Sequence, residues 1–281
     1  MLIILFHKNK GYSSGFPIDS KIYNNISSLP HWHPELELML VYEGSVVMGK
    51  NSECRELKKG DIAFCSGGDI HYYDSKGKHS TILTIVFRPE LISNIVNLSK
   101  DEQATITFLD NLAVEAIKLD NSIVNQMRTC LDSIYKEMSG HKQDYDIFVK
   151  ADLIKLFALF SRHIPRSAFE LDGDMASPRS VKLIQGAMKY IESNYSHDIS
   201  LNDISQHLKI SPFYFSRIFS NVTGLTYKSY LNKIRIEKAH NFIETTSIPI
   251  TDIAYECGYN SLRTFNRAFK ELKGYTPSSL R

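Results

Sequence analysis

Cysteine is scarce in this chain. The four residues Cys54, Cys65, Cys130 and Cys257 are scattered over 281 positions and form no CxxC pair. That excludes a disulfide-built scaffold and a cysteine-ligated zinc module, and predicts reduced thiols in a cytoplasmic setting. Long apolar runs are also missing: nothing approaches the ~20 residues of a membrane span. The opening MLIILF is too short for a secretory signal core and reads as a first β-strand. Tryptophan occurs once, at Trp32. A net excess of either charge is nearly absent, at +2 overall. The excess is uneven, however. From Val181 onward, thirteen Lys and Arg stand against eight Asp and Glu, whereas residues 1–180 carry twenty against twenty-three. A basic C-terminal third suggests a polyanionic partner for that part alone.

Two textures follow one another along the chain. Over residues 1–88, short apolar runs at Leu36–Tyr42, Ser45–Met48, Asp61–Cys65 and Thr81–Phe87 alternate with glycine turns, which predicts a sandwich or barrel. His31–Val41 alternates, placing His31, His33, Glu35, Glu37, Met39 and Val41 on one strand face and Trp32, Leu36, Leu38 and Leu40 on the other. After Pro89 the period becomes helical. Leu91–Leu98, Ser122–Met138 (stopped by Gly140) and Tyr145–Ile164 are expected helices, the last with a wide apolar face suited to capping the β domain and to meeting a second copy of the chain. Pro165–Pro178 is polar and aperiodic, as a linker is. Closely spaced helices follow, at Ser180–Tyr195, Leu201–Leu208, after Ser211, at Thr226–Thr245, at Thr251–Cys257 and after Ser261, with a final turn at Thr276–Leu280. The expected fold is an α+β multidomain chain: a β-barrel over 1–90, a helical cap and dimerisation segment over 91–164, a linker over 165–179 and an all-α domain over 180–281.

Within the all-α domain a stretch is used twice. Ser211–Gly224 (SPFYFSRIFSNVTG) and Ser261–Gly274 (SLRTFNRAFKELKG) match at Ser211/Ser261, Phe215/Phe265, Arg217/Arg267, Phe219/Phe269 and Gly224/Gly274. A serine suits the helix start and a glycine its end. Each copy follows a short helix (Asp203-Ile204-Ser205, then Asp252-Ile253-Ala254) and a tight turn, the helix-turn-helix pattern. Phe215, Ile218 and Phe219, and Phe265, Ala268, Phe269 and Leu272, form the inward faces. Phe213, Ser216, Arg217 and Ser220 share the opposite face of the first copy, and Arg263, Asn266, Arg267 and Lys270 that of the second. Arginine can bond guanine through two hydrogen bonds, asparagine can bond adenine, and lysine or serine can reach phosphate, so double-stranded DNA is the expected partner. The competing reading is a solvated polar face with its arginines paired to Asp203 or Glu256. Helix Thr226–Thr245, ~30 Å long, suits a spacer between two readers about one DNA turn apart.

Residues 181–281 resemble the DNA-binding domain of AraC/XylS-family transcription regulators. The residues carrying the resemblance are Ile204 through Ser211, Arg217-Ile218-Phe219, Thr223-Gly224, Tyr230-Leu231, Arg235 to Ala239, Ile250 to Ala254, Cys257-Gly258-Tyr259, Phe265, Arg267, Phe269-Lys270, Gly274, Thr276-Pro277 and Arg281. It implies two helix-turn-helix units on one chain, joined by a central helix and reading adjacent major grooves; a homodimer, from the apolar helix faces above, and RNA polymerase are the further expected partners. His31, His33, Glu37 and Gly44 spell H-x-H-x3-E-x6-G, and Gly60, Gly68 and His71 fit a second element with Ser66 in its proline place. Together they resemble the two motifs of cupins, with Asn25 and Ser75 as departures. In metal-binding cupins these four positions hold a divalent metal. The reading adopted from the sequence is a pocket lined by His31, His33, Glu35, Glu37 and His71 for a small polar effector, a carbohydrate first, with no cofactor or metal and no catalysis. The alternative is a metal-dependent cupin enzyme fused to a DNA-binding module, with His31, His33, Glu37 and His71 as ligands.

Overall fold

A computed structural model describes residues 2–3, 15–92, 108–109, 114, 118–164 and 177–281. Most of the expected helix at Leu91–Leu98 and of the linker lies outside these residues; the described start of the former is a single 3-10 turn at Pro89–Leu91. The chain divides into two compact units, Met1–Asp172 and Gly173–Arg281.

The first unit is built on one long strand. β4 (Leu36–Lys50) follows β1 (Leu2–Ile3), β2 (Ile18–Asn24) and β3 (Ser27–Ser28), and precedes β5 (Glu53–Lys58), β6 (Ile62–Cys65), β7 (His71–Asp74), β8 (Ser80–Phe87) and β9 (Phe108–Leu109). The first half of β4 pairs with β6 and β8, and its second half with β5 and β7. One strand therefore serves two sheets, and it has to bend between them. The bend lies where the register against β8 slips between Val41 and Glu43. Gly44 follows at φ +69°, and a Cβ there would sit 1.9 Å from the His79 carbonyl oxygen. Only glycine combines that backbone with that approach. The sequence pattern reads two strands where the structure has one bent strand.

Alternation along β4 sorts the core. Met39, Val41, Val46 and Met48 turn inward with Ile26, Leu57, Ala63, Cys65, Tyr73 and Ile82. Leu36, Leu38 and Leu40 turn outward with Leu83, Ile85 and Phe87. That outer face is covered by α1 (Asn121–Gly140) and α2 (Tyr145–His163), whose buried Met127, Leu131, Ile134, Leu153, Leu156, Phe157 and Phe160 belong to the same cluster. The Phe157 ring meets Phe64 and Phe87 edge-on, with centroids 5.8 and 6.0 Å apart. Polar ties fix the register: Tyr42 donates to Asp132 at 2.7 Å, and Arg128 Nε donates to the Gly60 carbonyl at 2.8 Å. Gly140 is the last residue of α1, and the left-handed residue that ends it is His141 at φ +44°.

The second unit is helical: α3 (Pro178–Asn194), α4 (Leu201–Leu208), α5 (Pro212–Thr223), α6 (Tyr227–Thr245), α7 (Ile250–Glu256), α8 (Leu262–Lys273) and a closing 3-10 turn at Pro277–Leu280. Most starts are chemically specified. Ser200 and Asp203 form a reciprocal capping box, and Ser211, Thr226 and Ser261 accept from the backbone N–H three residues on. Central helix α6 is buried on two sides. Tyr230 meets Phe219 of α5 edge-on at 5.6 Å, while Ile236, Ala239 and Ile243 pack with Phe265 and Phe269 of α8. A buried pair, Lys273 Nζ to Glu237 Oε2 at 2.6 Å, ties α8 to α6.

Candidate functional site: a nucleic-acid interface and a buried histidine cluster

The two helix-turn-helix copies superpose in their chemistry. In each, the residue directly after the left-handed turn residue bonds back to the small buried residue of the first helix: Ile210 N–H to the Ser205 carbonyl, and Tyr259 N–H to the Ala254 carbonyl, both at 3.0 Å. Ser205 is buried and turns its hydroxyl onto the Leu201 carbonyl at 2.7 Å, so it fills the place of Ala254 without an orphaned polar group. The turns themselves differ. Lys209 takes the left-handed conformation in the first (φ +56°) and Gly258 in the second (φ +80°). Arg235 of α6 passes beneath the second turn, donating Nε to the Tyr195 carbonyl and Nη2 to the His197 carbonyl, each at 2.7 Å. A Cβ on Gly258 would come within 2.9 Å of that guanidinium.

Each second helix runs twelve residues from its serine cap to a glycine at φ +69° or +83°. Its two phenylalanines point inward, with ring centroids 5.4 Å apart for Phe215 and Phe219 and 5.7 Å apart for Phe265 and Phe269. The face left outside holds the candidate residues. Phe213, Ser216 and Arg217 are exposed on α5, with Ser220 half-buried, and Arg263, Asn266, Arg267 and Lys270 are all exposed on α8. Phe213 is 78% exposed, the most open large apolar side chain among the described residues. Arg217 lies over the Tyr214 ring at 6.0 Å. Among the described residues no carboxylate pairs with Arg217, Arg263, Arg267 or Lys270, so the internal salt bridges to Asp203 or Glu256 weighed above do not form. Four donors on α8, three of them cationic, face solvent together.

The histidine stretch departs from the sequence expectation in one respect. Residues 31–35 are not a strand; β4 begins at Leu36. Pro34 interrupts the ladder, and the segment is pinned instead to the 66–71 loop. His31 and His71 exchange backbone hydrogen bonds at 3.0 and 2.9 Å, and Gly68 N–H donates to the His33 carbonyl at 2.8 Å. Gly67 lies so close to Pro34 that a Cβ would sit 2.4 Å from its carbonyl oxygen. The bend still brings His31, His33, Glu37 and His71 together. His33 Nε2 is 3.0 Å and His71 Nε2 3.4 Å from Glu37 Oε2, and the His31 and His71 rings are 4.3 Å apart. Glu35 does not join them. Its carboxylate lies 3.6 Å from Nδ1 of His33, the far side of that ring, because the segment turns before the strand begins. Trp32 is partly buried. Tyr73 joins the cluster, donating its hydroxyl to Glu37 Oε1 at 2.5 Å. The sequence reading missed it: Tyr73 shares the buried side of β7 with His71, but that spacing alone does not show that its hydroxyl meets Glu37.

All five groups are buried. Burial alone lifts the Glu37 carboxyl, but hydrogen bonds from His33 and His71 reverse this and hold it well below the usual carboxylate range. Burial, then the charges of His71 and His33, push His31 well down. Burial opposes charge on His71 too, yet the Cys65 sulfur and the Glu37 carboxylate raise it well above an ordinary imidazole. The result is a connected polar cluster buried beside the apolar residues of the inner sheet face.

The family model of the AraC-like ligand binding domain matches residues 20–157, and that of a helix-turn-helix domain matches residues 204–281. Among relatives, the chain is similar to the uncharacterized HTH-type transcriptional regulator YdeC of Bacillus subtilis, 22% identical over 250 residues, 89% of this chain and 84% of that protein. It is likewise similar to the HTH-type transcriptional activator RhaS of Escherichia coli, 20% identical over 251 residues, 89% of this chain and 86% of that protein. Among solved structures, the C-terminal domain of AraT, a response regulator from Geobacillus stearothermophilus, is 34% identical over 37% of this chain and 84% of that one, with a TM-score of 0.35. A ligand-binding β domain, two matched helix-turn-helix units and relatives of the same make-up along nearly the full length lead to one conclusion: the chain belongs to the AraC family of DNA-binding transcription regulators.

Proposed function

We propose that this regulator is switched by a small polar effector, a carbohydrate first among candidates, that binds in the β domain, and that it acts as a cytoplasmic homodimer that activates transcription through RNA polymerase. The observation that carries the effector reading is the buried polar cluster of His31, His33, Glu37, His71 and Tyr73 beside the apolar residues of the inner sheet face, since such groups recognise hydroxyls and acids. RhaS being named an activator supports activation. Dimerisation is supported by α2, where Ile147 and Phe148 are 60% and 57% exposed next to each other. Adjacent large apolar side chains left in solvent are what an interface covers.

The effector has to bind two states of the protein unequally to act at all. A thermal-shift screen of the full chain against sugars, sugar acids and other polar metabolites tests the reading. An effector present at about 100 times its Kd adds ~2.7 kcal/mol of stability. A panel without any stabiliser would leave a ligand-blind barrel and sink the effector reading.

A further inference from the structure

We propose that the two blocks of the DNA site are chemically unlike. The block met by α8 is a short purine run of guanine and adenine, and the block met by α5 holds a thymine and a single guanine. The inference rests on α5 and α8 being the helices that enter the major groove, and adds which bases each selects. It comes from lining up the two exposed stripes position by position. Phe213 stands where Arg263 does in the repeat, Ser216 where Asn266 does, Arg217 where Arg267 does, and Ser220 where Lys270 does. One position of the four is shared and three are exchanged.

On α8 all four side chains are exposed, and none makes a hydrogen bond or ion pair within the protein among the described residues. At ~3.6 residues per turn they form one stripe, with Arg263 and Arg267 ~6 Å apart along the axis, just under two base-pair steps. Guanine turns two acceptors, N7 and O6, into the major groove, and the forked arginine donor matches them. Adenine turns out an acceptor beside a donor, N7 and N6, which needs a group that both donates and accepts. The Asn266 carboxamide is that group in the stripe. Cytosine offers a donor and calls for a carboxylate, and the four side chains include none. Lys270 adds a cation for phosphate.

On α5 the same positions speak differently. Phe213, 78% exposed, puts an apolar ring where α8 has a double donor, and that ring suits the C5-methyl of thymine. Ser216 and Ser220 offer hydroxyls, which bond donors and acceptors alike and so choose weakly between bases. Arg217 is the constant. Beyond the Tyr214 ring 6.0 Å away it has no partner among the described residues, so a guanine is expected at the same place in both blocks. The exchange also leaves one cation in this stripe against three on α8. Two identical readers one DNA turn apart would accept a site displaced by that turn, with α5 on the block of α8. Unlike blocks penalise the displaced register, and so fix both the position and the direction of the chain on DNA.

The test is selection of bound duplexes from a random pool by the full chain, followed by base analogues placed in the selected site. 7-Deazaguanine lacks the N7 acceptor. At the guanine of the α8 block it is expected to weaken the wild type ~10- to 100-fold and to leave Arg267→Ala unchanged; at the guanine of the α5 block the insensitive variant is Arg217→Ala. 7-Deazaadenine in the α8 block is expected to weaken the wild type and to spare Asn266→Ala. Phe213→Arg combined with Ser216→Asn is expected to rewrite the first block alone, from thymine-bearing to a purine run. These side chains are exposed, and unfolding midpoints matching the wild type verify the fold of each variant. Two wild-type blocks of like composition, or a rewritten variant that still selects the original first block, would overturn the inference and leave the two-helix reading standing. A selected site that none of the substitutions alters would overturn that reading, and the inference with it.

Discussion

At the scale of single residues, the recognition face makes unequal demands. Arg267 is exposed and pairs with no carboxylate among the described residues, and a base edge is the contact proposed for it. Arg267→Ala is expected to cost ~1–3 kcal/mol at one base pair of the binding site and to relax preference there. Lys270→Ala is expected to weaken all sequences alike and to flatten the salt dependence by about one counterion. Competition binding on a set of single-base operator variants separates the two. Phe213 differs in kind: an aromatic side chain left 78% exposed in the first turn of α5 suits a thymine methyl group. Replacing the contacted thymine by deoxyuridine is expected to weaken the wild type and to leave Phe213→Ala unchanged; equal losses in both would contradict it. Glu192 gives a pH signature. Burial raises its carboxyl pKa, against Lys238 and the Tyr230 hydroxyl, which lower it. A raised folded-state pKa means that its stabilising contribution is complete below the unfolded value and is lost as pH rises through the folded one. Glu192→Gln keeps the acceptor for Tyr230 and removes the buried charge. Its stability advantage over wild type, read from urea midpoints, is expected to be larger near about pH 7 than near about pH 4; an advantage independent of pH would reject the assignment. The residues of the histidine cluster were legible for a related reason. Side-chain period brings His31, His33 and Glu37 to one side even though the backbone bends between them. What spacing did not carry is that Glu35 turns away, since that depends on where the strand starts. The hydroxyl of Tyr73 was equally hidden, because its meaning arises only when β7 closes on β4.

At the scale of elements, the helical repeat was nearly transparent in the sequence and the sheet was not. Ser211, Thr226 and Ser261 cap the helices that begin after them, and Gly224 and Gly274 end theirs, because these signals are local. Strands β2 and β5 had no such local mark. β5 reads ECRELK and buries only Leu57 fully, so it exists through its pairing with the second half of β4. Non-local pairing, not propensity, made it a strand. The two helix-turn-helix turns offer a sharper check. Gly258 is required by its left-handed backbone and by the Arg235 clamp beneath it. Gly258→Ala is expected to destabilise the helical unit by ~1–3 kcal/mol in chemical denaturation. At the corresponding turn Lys209 already takes that conformation. Lys209→Gly is therefore expected to stay within about half a kcal/mol of wild type. Comparable losses at both turns would mean that Arg235 sets nothing.

At the scale of the whole molecule, the β unit carries the buried polar cluster and the helical unit carries two exposed helix faces, the second of them the more basic. We propose that one chain engages two successive major-groove segments through α5 and α8, with α8 carrying more of the specificity. Selection of bound duplexes from a random pool by the full chain, repeated with Arg217→Ala and with Arg267→Ala, tests it most directly. The expected consensus has two blocks about one helical turn apart, ~10 bp centre to centre, the stronger one erased by Arg267→Ala and the weaker one by Arg217→Ala. A consensus with a single block, or two blocks that survive both substitutions, would contradict it.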